Sequence, residues 1–163
     1  ESDFGEYYEK FYDAVRGGGS LEFVEDMRDE MVYSIRQGLA EIGKIQTLAI
    51  LTTFVAGPAL LDALGISQLY LPLLYVQVIG AGLQVALMAV LNVFFYLDHR
   101  RIVLVLCVEF LLLNVLFTAA TLWLGAALYG YGFTLAVLLT LASGLVLLSR
   151  QLSRLEYETF MLQ

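Results

Sequence analysis

The chain has 163 residues, 60% of them hydrophobic, and a formal net charge of −7, with a mean hydropathy of +0.77. Soluble domains are nearer to about 45–50% apolar and interrupt their apolar runs, so this composition excludes an ordinary soluble globule and points to an integral membrane protein. All the excess acid lies in residues 1–41, with 4 basic against 11 acidic side chains, whereas residues 42–163 carry 5 of each; that balance argues against nucleic acid as a partner and against a polybasic grip on anionic lipid.

The first 44 residues read as amphipathic cytoplasmic or interfacial helices. In residues 5–16, "GEYYEKFYDAVR", the side chains of Tyr8, Phe11, Tyr12 and Val15 recur at helical spacing. Gly17–Ser20 breaks that helix, and Ser20 caps a second one, whose first turns hold Glu22, Glu25 and Asp26, where the helix dipole favours acids. Leu21, Val24, Met27, Met31, Ile35, Leu39 and Ile42 form one apolar stripe on this charged helix. Its acidity favours a protein partner over the lipid surface. No basic–apolar–cleavage pattern opens the chain, which begins at Glu1 rather than Met, so it reads as part of a longer protein.

Four stretches then reach the roughly 20 apolar residues a bilayer crossing needs: 45–64, 70–96, 102–124 and 126–149. The expected fold is therefore all-α and polytopic, with four transmembrane helices and a cytoplasmic tail over 150–163. The first span contains Gly57-Pro58, which predicts a kink or break, and Asp62 near its far end. The second is the longest, at ~40 Å by helical rise, and must tilt or protrude. Gln77, Gly80, Gln84 and Met88 fall near one face of it, suited to close helix approach and interhelical hydrogen bonds.

The basic residues decide orientation. Arg36 and Lys44 precede the first span, Arg100 and Arg101 sit between the second and third, and Arg150 and Arg154 follow the fourth. The links around Gly65–Leu69 and Gly125 contain no Lys or Arg. Four spans put every basic cluster on one side, so both ends and the "DHRR" loop are expected to be cytoplasmic.

Nothing in the sequence suggests an enzyme or a cofactor. His99 is the one histidine, which rules out a multi-His metal site, and Cys107 is the one cysteine, which cannot form an internal disulfide. "GAGLQ" (Gly80–Gln84) lacks the third glycine and the strand–turn setting of a dinucleotide fingerprint. The exception to this blandness is Glu109, inside "RRIVLVLCVEFLLLN", ~10 Å from the cytoplasmic edge at helical rise. A carboxylate facing lipid there costs roughly 2–3.5 kcal/mol, so Glu109 should face other helices or a wet cavity. Asn92 and Ser143 lie at comparable depth on the neighbouring spans and are its candidate partners, with Arg100 and Arg101 as alternatives. Asn114 and Thr118 lie further along the same span and suit interhelical hydrogen bonds. Glu109, Asn92, Ser143, Gln77, Gln84 and Asn114 are together the candidates for a translocation path or for polar clamps between helices.

Four stretches carry a family resemblance: "EYYEKFYDAVRGGGSL", "FYLDHRR" (Phe95–Arg101), "LYGYGF" (Leu128–Phe133) and "LSRQLSRLEYETF" (Leu148–Phe160). Their order and spacing resemble the C-terminal part of the PelG family, inner-membrane transporters of Pel exopolysaccharide biosynthesis. That family is related to the MOP superfamily of polysaccharide and lipid-linked oligosaccharide flippases. Its members are much longer and bilobed; the four spans here resemble the last four. The resemblance implies a polysaccharide substrate, a cytosolic glycosyltransferase that polymerises the sugar, and membrane partners that include a cyclic-di-GMP receptor. It brings no established site residues with it. Two other readings compete. One is a membrane scaffold that assembles a synthase complex without lining a path, which a dry interior would favour. The other is an ion-coupled antiporter, for which Glu109 alone is a thin cation site.

Overall fold

The computed structural model describes residues 21–125 and 128–161. The helix expected over 5–16 and the Gly17–Ser20 turn lie outside them. Four helices dominate: α1 (Leu21–Ala63), α2 (Leu71–Tyr96), α3 (Arg100–Leu124) and α4 (Tyr131–Met161), with a 3₁₀ turn at Gln68–Tyr70. Among the described residues there is no strand. Each helix contains a segment long and apolar enough to cross a membrane: Val32–Ala63, Gln68–Tyr96 (which takes in the 3₁₀ turn), Arg100–Leu124 and Tyr131–Leu152. The chain divides into two compact units, Glu1–Glu41 and Ile42–Gln163; the packing described below belongs to the second.

Local chemistry sets the helix ends. α1 stops in a Schellman turn: Gly65 has φ +66, its N–H bonds the Asp62 carbonyl at 3.1 Å, and the Ile66 N–H bonds the Leu61 carbonyl at 2.9 Å. α2 ends the same way, with Asp98 at φ 54 in the position glycine usually takes and the His99 N–H on the Phe94 carbonyl at 2.9 Å. Pro72 sits in the first turn of α2, where a missing N–H costs nothing. Ser67 caps the 3₁₀ turn through the Leu69 N–H.

Three element boundaries differ from expectation by more than two residues: the start of α1 and both ends of α4, which runs on to Met161 through the stretch expected as a tail. The fourth span was expected from Ala126, but α4 begins at Tyr131. Gly125 and Gly130 both have positive φ, +107 and +87, and such a backbone cannot continue a right-handed helix, so this stretch turns before the helix starts. The first span was expected to begin at residue 45 after a separate surface helix; α1 instead runs unbroken from Leu21 to Ala63 and continues through Gly57-Pro58. Thr47, Thr52 and Thr53 hide their hydroxyls on the carbonyls four residues back, each at 2.8 Å, which suits an apolar surround.

α4 is the centre of the packing, lying along both α2 and α3, which meet each other only sparingly. It runs parallel to α2, since Gly80 meets Phe133 and Thr134, and Val90 meets Gly144. It is antiparallel to α3, since Phe117 meets Gly132 and Leu106 meets Gly144. The core between the three helices is Val90, Phe94, Leu106, Ala136 and Val137, with Thr140 the buried polar residue among the described ones. Thr140 satisfies its hydroxyl on the Ala136 carbonyl at 2.9 Å. This interior is apolar apart from that hydroxyl.

α1 meets α2 at two places. Gln46 and Ile50 lie over Gly82, while Leu71, Leu74 and Tyr75 surround Gly57. Gly82 is about 14 residues from the Tyr96 end of α2, or ~21 Å. Gln46 is level with it, and Lys44 precedes Gln46 by a fraction of a turn. Lys44, expected at the membrane edge, is therefore level with the middle of α2 and lies inside the candidate span Val32–Ala63.

Candidate functional site

Glu109 is half-buried on the flank of α3 that faces α4. Ser143 donates its hydroxyl hydrogen to Glu109 Oε1 at 2.7 Å, a short bond of the charge-assisted kind. The pairing follows from antiparallel register: with Phe117 opposite Gly132 and Leu106 against Gly144, residue 109 of α3 comes level with residues 140–141 of α4, and a side chain that leans toward its own helix N-terminus reaches Ser143 from there. Of the partners considered for Glu109, Asn92 is exposed on α2, and Arg100 turns instead to Asp98, its Nε donating to Oδ1 at 2.8 Å. One exposed edge of the α3–α4 seam is thus held by a serine–carboxylate bond. Nearby, the Phe110 and Phe133 rings meet edge to face across the same seam, with centroids 6.1 Å apart.

The other candidates lie elsewhere. Gln77, Ala81, Gln84, Met88, Asn92 and Phe95 fall within about 80° of one another around the α2 axis, and all six are exposed. Three side-chain amides thus mark one exposed stripe along α2, with the end of Gln77 lying beside Gly130 just before α4. Gly80, expected on this face with the glutamines, sits at its edge instead and is buried against α4. Its hydrogen is all the space allows, because a Cβ there would come within 2.7 Å of Thr134 Oγ1. Asn114 is half-buried and accepts from the Thr118 hydroxyl at 3.4 Å, a bond within α3 rather than between spans.

Two features escaped the sequence reading. The first is Tyr75. Pro58 has no N–H to offer the Phe54 carbonyl, and the Tyr75 hydroxyl donates to that carbonyl at 3.1 Å. The Tyr75 ring stacks on Phe54 at 4.1 Å, and Gly57 leaves room for it. The signal was the Gly57-Pro58 pair, which announces an orphaned carbonyl without saying what will meet it. The second is Gln68, which donates through Nε2 to the Pro58 carbonyl at 2.9 Å and to Asp62 Oδ1 at 2.5 Å. Asp62, near the far end of the first span, is thereby tied to the loop that follows it.

Among the described residues no group of three or more His, Cys, Asp or Glu side chains could hold a metal ion. Hydrogen-bonding amides on an exposed apolar helix can bind neutral polar groups or another helix. They offer no nucleophile–base pair.

The comparisons with known proteins give one match. A family model described as "PelG: Putative exopolysaccharide Exporter (EPS-E)" matches residues 1–160. No curated protein and no solved structure matches the chain.

Proposed function

The chain belongs to the PelG family of exopolysaccharide exporters, and from that premise we propose that it is the C-terminal portion of an inner-membrane transporter for Pel polysaccharide. In this reading a cytosolic glycosyltransferase delivers the polymer, membrane partners including a cyclic-di-GMP receptor complete the complex, and both ends of the chain are cytoplasmic. The path runs along the outer stripe of α2, where Gln77, Gln84 and Asn92 offer amides to sugar hydroxyls. The observation that carries this is the exposure of all three amides on one face of an otherwise apolar span. Amides facing lipid would be costly, so they call for a polar neighbour. The core between α2, α3 and α4 is apolar, so the polymer does not pass through it. Glu109 acts in this reading as a clamp on Ser143.

The apolar core also favours the second reading, a membrane scaffold that assembles the synthase complex without touching polymer. Leucine replacement at Gln77, Gln84 and Asn92 separates the two. A path predicts that secreted polysaccharide falls by about fivefold for each lost hydrogen bond of ~1 kcal/mol, with membrane level and partner recovery unchanged. Glu109→Gln, which keeps an acceptor for Ser143, should export normally. Full export by the triple variant would sink the path, and loss of export only together with loss of partners would support the scaffold.

A further inference from the structure

A cleft of about 590 Å³ opens where α2 turns into α3, lined by Asp98, His99, Arg100, Arg101, Ile102 and Gln151. It is unconnected with the α2 stripe and with Glu109. Its walls come from the ends of three candidate spans: the turn after Tyr96, the start of α3 at Arg100, and Gln151 next to the last residue of the fourth span, Leu152. Side chains at such ends lie at headgroup level, where phosphates are concentrated.

The charges lining the cleft do not cancel. Asp98 neutralises Arg100 through the 2.8 Å bond, with both side chains largely exposed. Among the described residues Arg101 has no carboxylate partner, so one guanidinium remains over, beside the imidazole of His99 and the amide of Gln151. His99 precedes α3 without a side-chain capping bond; its carbonyl takes the Ile102 N–H at 3.0 Å, and the Arg100 and Arg101 N–H groups are left unclaimed by its side chain. A guanidinium fork and an amide donor around one opening match tetrahedral oxyanions better than carbohydrate or cations.

We propose that this cleft binds a phosphate group at the cytoplasmic membrane surface, held chiefly by Arg101 with Gln151 opposite. The group has two possible sources, an anionic lipid headgroup and free phosphate. This is a two-sided pocket, distinct from the polybasic lipid tether that the charge distribution argues against.

The test uses the full chain in mixed micelles of phosphatidylglycerol and phosphatidylcholine in equal amounts, with retained lipid read by native mass spectrometry. A second arm titrates inorganic phosphate and reads the thermal unfolding midpoint. Phosphatidylglycerol retained in excess, or a midpoint raised by phosphate, assigns the source as lipid or soluble phosphate respectively. Either response should drop about fivefold in Arg101→Gln and in Gln151→Leu, and stay unchanged in Arg150→Gln, which removes an equal charge outside the cleft. Gln151→Leu keeps every charge and therefore every orientation signal. No response in either arm, a loss in Arg101→Gln that Gln151→Leu does not share, or an equal loss in Arg150→Gln would overturn the proposal.

Discussion

A residue that completes the backbone bonding of α1 lies on another helix. Proline inside a helix removes one N–H, and the carbonyl four positions back loses its partner. Water compensates in a soluble protein; in hydrocarbon nothing does, at a cost of several kcal/mol. Here Phe54 carries that carbonyl and the Tyr75 hydroxyl meets it, while the two rings lie nearly parallel, 9° apart. Tyr75→Phe retains the stacking and deletes only the bond, so it should destabilise the chain in micelles by about 1–2 kcal/mol. Pro58→Ala restores an N–H for Phe54 and should erase most of that loss when combined with Tyr75→Phe. The double-mutant cycle, read by denaturant unfolding, isolates the bond. Additive effects of the two changes would mean that Tyr75 serves α1 by packing alone.

At the scale of the helices, what could be read in the sequence depended on whether the signal was local. α2 and α3 begin and end within two residues of expectation, because Pro72, the "LDHRR" turn and Gly125 mark those ends themselves. The start of α4 was missed because "LYGYG" looks apolar, and only the positive φ of Gly130 shows that it turns. Lys44 reads as a membrane-edge residue until Gln46 is found against Gly82; that register comes from another helix. Depth arithmetic brought Glu109 level with both Asn92 and Ser143, but depth says nothing about azimuth, and Asn92 faces outward. The same contrast separates the glycines of α4. At Gly132 a Cβ would lie 2.8 Å from the Phe117 carbonyl carbon and oxygen, all backbone, whereas at Gly144 it would meet the end of the Val90 side chain at 3.2 Å. Backbone cannot rotate away, so Gly132→Ala should force α3 and α4 apart and cost about 1–3 kcal/mol. Gly144→Ala should cost clearly less. Unfolding midpoints of the two variants in one detergent check the order; a milder effect at Gly132 would mean that α3 and α4 slide freely past each other.

For the molecule as a whole, the question is which side each loop faces. α2 runs parallel to α4 and antiparallel to α3, so the α2–α3 turn and the end of the fourth span at Leu152 share one side, and the α1–α2 link falls on the other. Arg100, Arg101 and Arg150 all belong to the first side, and residues 64–69 contain no Lys or Arg. Short loops rich in arginine stay in the cytoplasm, so the two sides should be distinguishable in intact cells. Cys107 lies within α3 and is replaced by alanine before labelling. A cysteine at Ser67 should then react with a membrane-impermeant maleimide added outside intact spheroplasts, while one at His99 should react only after the membrane is opened. Exchanging Arg100 and Arg101 for glutamine should blur that difference, because the strongest orientation signal between the second and third spans is gone while the spans themselves are untouched. Equal labelling of both positions from outside would mean that α2 does not cross; α3 and α4 would still bring Arg150 to the side of Arg101, but that side would be the outer one. That outcome would carry the α2–α3 turn and the end of the fourth span together to the outer surface, against both a phosphate site at the cytoplasmic face and the cytoplasmic delivery of polymer, since both need those ends inside.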